Sequence, residues 1–152
     1  MIIAEGASSA QPRTTYLVKQ LELAIRAEMD VIASAFGMTA LQYTALSVLA
    51  CHPGLSSAQM ARRSFVSAQA GHEMVIILER KGFVARTPDA ANRRIRRINL
   101  TTAGHEVLAK CDQEIDRFEA KMLDALPAVD VVVLRRALDA CISRLARSSV
   151  VQ

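Results

Sequence analysis

The sequence predicts a mainly α-helical fold that carries one small β-hairpin. Over most of the chain, apolar residues recur at intervals of three and four, which is the spacing of one buried helix face. Residues 83–100 depart from it: an alternating stretch leads into the turn-forming run 88–92, and a second alternating stretch follows. With 152 residues, 51% of them hydrophobic, the chain can form one domain with its own core.

Two short helices are predicted just before the hairpin. Ser56 and Gln59 can form a capping box, in which each side chain bonds the backbone amide of the other residue, so a helix should start there. Ser67 offers an N-cap for a second helix, which we expect to stop at Gly82 because glycine accepts a left-handed conformation. Two helices joined by about three residues form a helix-turn-helix, whose second helix can enter a DNA major groove.

Longer amphipathic helices are predicted on both sides of this region. Residues 14–36 carry an apolar stripe that stops at Gly37, and a second capping box, Thr39 with Gln42, starts another helix. Pro127 divides residues 101–147 into two more helices. The terminal helices have more apolar surface than the small central region can cover. They therefore form a bundle within one chain or pair with a second copy.

Positive charge is concentrated in the central region. Residues 56–100 hold 9 Lys and Arg against 3 Asp and Glu, which gives +6, whereas residues 1–55 and 101–152 each carry −1. Four arginines lie at the hairpin tip or just beyond it: Arg93, Arg94, Arg96 and Arg97. Such a run can be no more than solvated surface. Directly after a helix-turn-helix, it predicts a wing that reaches phosphates or the minor groove of DNA.

Three segments resemble the MarR family of bacterial winged-helix regulators. They are Leu100–Gly104 after the arginine-rich hairpin, Leu78–Val84 at the end of the second short helix, and Thr39–Tyr43 at the start of an earlier one. The resemblance covers about residues 14–147, nearly the whole chain. It implies a winged helix-turn-helix DNA-binding core flanked by long N- and C-terminal dimerisation helices.

The resemblance also implies the domain limits. The glycine, serine and proline residues of the N-terminal segment predict a flexible lead-in at residues 1–13. The resemblance implies a single domain at residues 14–152, with dimerisation helices at 14–36 and 101–147 around a winged helix-turn-helix region at 39–100. The wing of this family usually has aspartate before its paired arginines, and Asn92 stands there in this sequence. We therefore expect this wing to be braced differently, through Asp89 and Arg86.

The function implied by the resemblance is that of a homodimeric, cytoplasmic repressor. It would bind a pseudo-palindromic operator in double-stranded DNA and be released by a small, aromatic effector. The candidate DNA contacts are Ser67, Gln69 and His72 on the recognition helix and Arg93, Arg94 and Arg96 in the wing. The candidates for an effector cleft are Tyr43, Leu46, Ala50, Val107 and Cys111, each of which has an ordinary core position as its alternative.

Other chemistry finds little support in the sequence. No glycine-rich phosphate loop, nucleophile elbow or metal-ligand spacing occurs, so we expect no enzyme activity, cofactor or metal. No apolar run reaches the length of a membrane span, and no secretory signal opens the chain, so we expect a cytoplasmic protein. Two alternatives stay open: a ligand-independent architectural DNA-binding protein, and a redox sensor that uses one of the thiols Cys51, Cys111 and Cys141.

One glycine lies inside the predicted recognition helix. Gly71 costs that helix up to about 1 kcal/mol relative to alanine. The sequence allows two explanations. The missing side chain permits a close approach of the helix backbone to DNA, or the glycine is tolerated without a role.

Overall fold

The computed structural model describes residues 11–148, so most of the predicted lead-in 1–13 lies outside the described residues, as do residues 149–152. Helices and one antiparallel hairpin follow each other along the described part of the chain. Their bounds are α1 Thr14–Ser34, α2 Ala40–Cys51, α3 Ser57–Arg63, α4 Ala68–Arg80, β1 Val84–Pro88, β2 Arg96–Leu100, α5 Thr102–Leu123 and α6 Ala128–Ser148. The predicted fold class, mainly α-helical with a small hairpin, is confirmed. None of the helices in residues 11–148 is long and apolar enough to cross a membrane.

Side-chain caps begin the helices around the core. Both predicted capping boxes form, Thr39 with Gln42 at α2 and Ser56 with Gln59 at α3. The Ser67 hydroxyl accepts from the amide of Ala70 at 3.2 Å and so caps α4. These acceptors satisfy amides that have no partner within the helix, which is why short polar residues set the helix starts.

The end of α4 leads directly into the hairpin. Gly82 has a φ of +76°, and its amide donates to the carbonyl of Glu79, while the amide of Phe83 donates to the carbonyl of Leu78, both at 3.0 Å. This pair of bonds is a Schellman motif, so the predicted glycine stop is confirmed. β1 begins at Val84, one residue later than expected, because the amide of Phe83 closes the helix. It also includes Pro88, whose missing N–H is tolerated in an edge strand.

The hairpin is tied to the segment that precedes α3. β1 and β2 pair from Val84 with Leu100 to Pro88 with Arg96. On the other side of β2, the amide of Ile98 donates to the carbonyl of Leu55 at 2.9 Å, and the carbonyl of Ile98 accepts from the amide of Gly54 at 3.0 Å. Because Ile98 is also fully buried, the base of the wing is fixed by backbone bonds and by core packing.

The core is formed where α2, α3 and α4 meet the hairpin. The largest fully buried apolar side chains are Leu46, Leu49, Met60, Leu78, Ile98, Val75 and Cys111. A long polar tie supplements this packing at the end of α4. Lys81 donates to the carbonyl of Gly37 and, at 3.1 Å, to the side-chain oxygen of Gln42, and so joins the end of α4 to the α1–α2 connection.

The chain divides after Cys111, within α5, into two compact units. The second unit holds the rest of α5 and the whole of α6. Between residues 128 and 147, α6 has no buried residue. Many of its apolar residues are exposed: Val129, Val132, Val133, Leu138, Ile142 and Leu145. The described chain alone therefore leaves much of the apolar surface of α6 uncovered.

Gly71 allows α4 to pack closely against α3. It is buried, and a β-carbon at this position would lie 2.4 Å from the β-carbon of Ala61 and 3.1 Å from its α-carbon. Of the two explanations that the sequence allowed, tolerance without a role is wrong because the space is needed. The approach to DNA is wrong as well, because the missing side chain faces α3.

We expect Gly71→Ala to lower the free energy of unfolding by about 1–3 kcal/mol, because the overpacked methyl group outweighs the gain in helix propensity. Urea denaturation measures the change. Ala61→Gly removes the opposing methyl group, so the double variant should lose less stability than the sum of the two single variants. An unchanged stability of Gly71→Ala would contradict close packing here.

Candidate nucleic-acid interface

The first turns of α4 present polar side chains to solvent. Ser67, Gln69 and His72, the three candidates on this helix, are all exposed. The opposite face is held in the core by Met74, Val75 and Leu78. The Ser67 oxygen accepts from a backbone amide, which leaves its proton free to donate. The outer face of α4 is therefore a rigid surface with hydrogen-bonding groups.

Gln69 makes one weak contact on this surface. Its side-chain amide donates to a carboxylate oxygen of Glu73 at 3.4 Å. The two residues are exposed and one helical turn apart, so the contact adds little stability and is easily exchanged for another partner. Gln69 is thus held loosely and can reorient towards a ligand.

Asp89 organises the turn of the wing. One carboxylate oxygen accepts from Nε of Arg97 at 3.1 Å, and the other accepts from the amide of Asn92 at 3.2 Å. The side-chain oxygen of Asn92 accepts in turn from the amide of Arg94 at 3.1 Å, which is an Asx turn. Asparagine offers the same kind of acceptor oxygen as aspartate. The turn therefore forms although position 92 departs from the pattern of the family.

Ion pairs brace the wing from within. Besides Asp89, Arg97 binds the carbonyl of Gly54 through Nη1 at 3.1 Å, and Arg86 donates to Glu79 at 2.6 Å. Bracing through Asp89 and Arg86 was expected, and both form ion pairs, but with separate partners. Arg97 links the wing to the α2–α3 connection, and Arg86 links it to α4.

The other wing arginines are available to a ligand. Arg93, Arg94 and Arg96 are exposed, and in the described part of the chain no ion pair or side-chain hydrogen bond involves their guanidinium groups. An unpaired guanidinium suits phosphate oxygens, which it can bind with two parallel hydrogen bonds. The wing thus keeps two of its arginines for structure and offers three outward.

The end of α3 and the turn that follows it contain exposed residues that sequence reasoning did not propose as contacts. Arg62 and Arg63 are exposed at the end of α3, and Nη1 of Arg63 lies 3.2 Å from Nε2 of His52. Phe65 follows with its side chain 92% exposed. The signal available in the sequence was a large aromatic residue within a turn of about three residues, a position that usually has small or polar side chains.

The effector candidates differ in burial. Leu46 and Cys111 are fully buried and act as core residues in this structure. Tyr43, Ala50 and Val107 are half-buried and can still reach a ligand. The sulfur atoms form no disulfide, with Cys51 and Cys141 exposed. Within residues 11–148, no group of three His, Cys, Asp or Glu side chains could hold a metal ion.

The wing brace predicts a pH dependence. The hydrogen bond from Arg97 holds the pKa of Asp89 below its usual value of 3.8, so the carboxylate favours the folded state above that pH and loses this effect as the pH falls. Asp89→Asn should therefore flatten the loss of stability below about pH 3.8. Urea denaturation at pH 7 and pH 3 tests this, with the exposed Asp124→Asn as control. Parallel curves for wild type and Asp89→Asn would contradict the brace.

Comparison with known proteins places the chain in a family. The MarR family model matches residues 36–95, from the α1–α2 connection to the wing tip. The HTH-type transcriptional repressor Rv2887 of Mycobacterium tuberculosis is 29% identical over 124 residues, which is 82% of this chain and 89% of that protein. A putative transcriptional regulatory protein for the hcr operon of Thauera aromatica is 30% identical over 117 residues, 74% of this chain and 70% of the relative.

Solved structures agree with these matches. The Mycobacterium tuberculosis MarR family protein Rv2887 in complex with salicylic acid is 27% identical, with a TM-score of 0.72 over 87% of this chain and 98% of that one. The MepR–DNA complex of Staphylococcus aureus shares the fold, with a TM-score of 0.79 at 22% identity over 88% and 99% of the two chains. The helix-turn-helix and hairpin are thus a winged helix-turn-helix, and the chain belongs to the MarR family of transcriptional regulators.

Proposed function

We propose that this chain is a homodimeric repressor that binds a pseudo-palindromic operator and is released by a small aromatic molecule. The observation that carries the proposal is the set of three exposed, unpaired wing arginines, together with the exposed polar side chains on the first turns of α4. Residues 56–100 also hold all of the chain's excess positive charge, which a polyanionic partner would neutralise. We call α3, α4 and the hairpin the reading head.

The parts of the reading head would bind DNA in different ways. α4 would enter the major groove, where the amide of Gln69 can pair with the edge of an adenine. Its exposed N-terminus, capped by Ser67, favours a phosphate. Arg93, Arg94 and Arg96 would bind phosphates or the minor groove next to the major groove that α4 enters. The ion pairs of Arg97 with Asp89 and of Arg86 with Glu79 would keep the wing in the position needed for this contact.

A salt series tests the role of the wing. The wild-type protein first selects a duplex from a random-sequence library. Arg93→Ala/Arg94→Ala should bind this selected duplex more weakly than the wild type does. The slope of log K against log salt should become shallower by about 0.9 for each phosphate that the variant no longer neutralises. Gln69→Ala should instead relax preference at one base pair, at a cost of about 1–3 kcal/mol, and keep the slope.

Lys110→Ala/Lys121→Ala is the matched control, because it removes the same charge from exposed positions on α5. Its affinity and slope should stay close to wild type. If Arg93→Ala/Arg94→Ala kept both the affinity and the slope of the wild type, the wing arginines would be solvated surface and this part of the proposal would fail.

The exposed apolar side chains of α1 and α6 support a homodimer. On α1 they include Tyr16, Leu17, Val18, Leu21, Leu23 and Val31, and on α6 they are those named above. Surface of this kind favours association. A second copy fits best because a two-fold dimer presents two reading heads to a palindrome.

We expect light scattering to give a mass twice the 16.6 kDa of one chain. Val132→Asp/Ile142→Asp should reduce that mass to one chain and keep the helical circular dichroism signal, since both side chains are more than half exposed in the protomer, at 56% and 65%. The same double change should weaken binding to a two-half-site duplex. A stable wild-type monomer would overturn the dimer.

The effector part of the proposal rests on relatives. Rv2887 has been solved with salicylic acid and with p-aminosalicylic acid, so an aromatic carboxylate is the class to test first. Salicylate should release the selected duplex in a gel-shift titration. An architectural protein would keep the duplex at every salicylate concentration, and a redox sensor would release it with peroxide and rebind it after reductant.

A further inference from the structure

Phe65 is nearly all in solvent: it is 92% exposed, whereas the other exposed large apolar residues of the described part of the chain are 70% exposed at most. Phe65 lies in the turn between α3 and α4 and belongs to neither of the proposed dimer helices, α1 and α6. Its exposure is therefore not explained by the exposed apolar residues of those two helices. A side chain with so little contact adds nothing to the core.

The backbone of Phe65 is also unusual. Its φ is +61°, and in the described part of the chain it is the one residue other than glycine with a positive φ. This left-handed conformation favours glycine, because a β-carbon is crowded there. Two backbone hydrogen bonds form the turn. The amide of Phe65 donates to the carbonyl of Arg62 at 3.3 Å, and the amide of Val66 donates to the carbonyl of Ala61 at 3.0 Å. Glycine would make the same turn with less strain.

The surroundings of Phe65 indicate its partner. Ser67, the N-cap of α4, comes two residues later, so Phe65 directly precedes the turns of α4 proposed to enter the groove. Arg62 and Arg63, both exposed, come just before it. An apolar ring next to cationic side chains fits a partner that combines anionic and apolar groups. The edge of a DNA major groove does so, with its phosphates and thymine methyl groups.

We propose that Phe65 is a DNA-contacting residue that packs against the C5-methyl group of a thymine next to the bases read by α4. The inference rests on the proposed function, and it adds a specificity determinant to it. The contact is apolar, so it raises affinity for sites with thymine at that position without adding to the salt dependence.

Phe65→Gly is the first test, because glycine is favoured at this φ and the variant should be at least as stable in urea as the wild type. Its affinity for the selected duplex should fall about tenfold, as expected when one base contact is removed, with an unchanged salt slope. Phe65→Asn, which also tolerates the left-handed conformation, should behave in the same way. Phe65→Leu, which keeps an apolar side chain, should retain part of the affinity.

Deoxyuridine scanning identifies the thymine. In the selected duplex, thymidines are replaced one at a time by deoxyuridine, which removes only the methyl group. At one position per half-site the wild type should lose affinity, whereas Phe65→Gly should bind both duplexes equally. No such position, or equal losses for both proteins, would overturn the contact.

Other outcomes separate this inference from the proposed function. If the wild-type protein selects no duplex, the proposed function itself is wrong. If a duplex is selected and Phe65→Gly binds it as tightly as the wild type does, only the Phe65 contact is overturned. A loss of stability in Phe65→Gly would assign Phe65 to the fold, and a changed mass in light scattering would assign it to a protein interface. Either result would also overturn the proposal.

Discussion

The close contact between Gly71 on α4 and Ala61 on α3 is the constraint on which the reading head depends. There is no room for a side chain at position 71, so the two helices approach closely and α4 can turn its polar face outward. A second such contact follows in the chain. A β-carbon on Gly104 would lie 2.0 Å from the carbonyl oxygen of Phe83, so α5 starts against the beginning of β1. The two glycines thus allow the close contacts that set the positions of α4 against α3 and of α5 against the start of the wing.

Charge in the wing is divided between structure and recognition. Asp89 and Glu79 each bind one arginine, so Arg97 and Arg86 hold the wing to the rest of the reading head. Ion pairs that keep partial access to solvent, as these do, contribute little stability individually, and their value lies in orienting the turn. The remaining wing arginines pair with no acid of the described chain and are available to phosphates. A rigid wing with unpaired cations loses less entropy on binding than a mobile one.

The helix starts and stops that the sequence predicted correctly depend on residues close to each other in the chain. The capping boxes of α2 and α3, the cap at Ser67 and the stop at Gly82 were all confirmed, because each is a bond between residues a few positions apart. The role of Gly71 was missed because its neighbour Ala61 belongs to another helix. The bond from Arg97 to Gly54 spans 43 positions and leaves no local pattern. For the effector candidates, periodicity marked Leu46 and Cys111 as apolar helix positions but could not distinguish a cleft from the core that they occupy.

We propose that α4 and the wing of one reading head contact DNA together. Ethylation interference on the selected duplex measures it directly, because an ethylated phosphate blocks binding only where the protein touches it. We expect two separate groups of sensitive phosphates in each half-site, and Arg93→Ala/Arg94→Ala should lose the group assigned to the wing and keep the group beside α4. One undivided group that is identical in the wild type and the variant would contradict a joint contact by α4 and the wing.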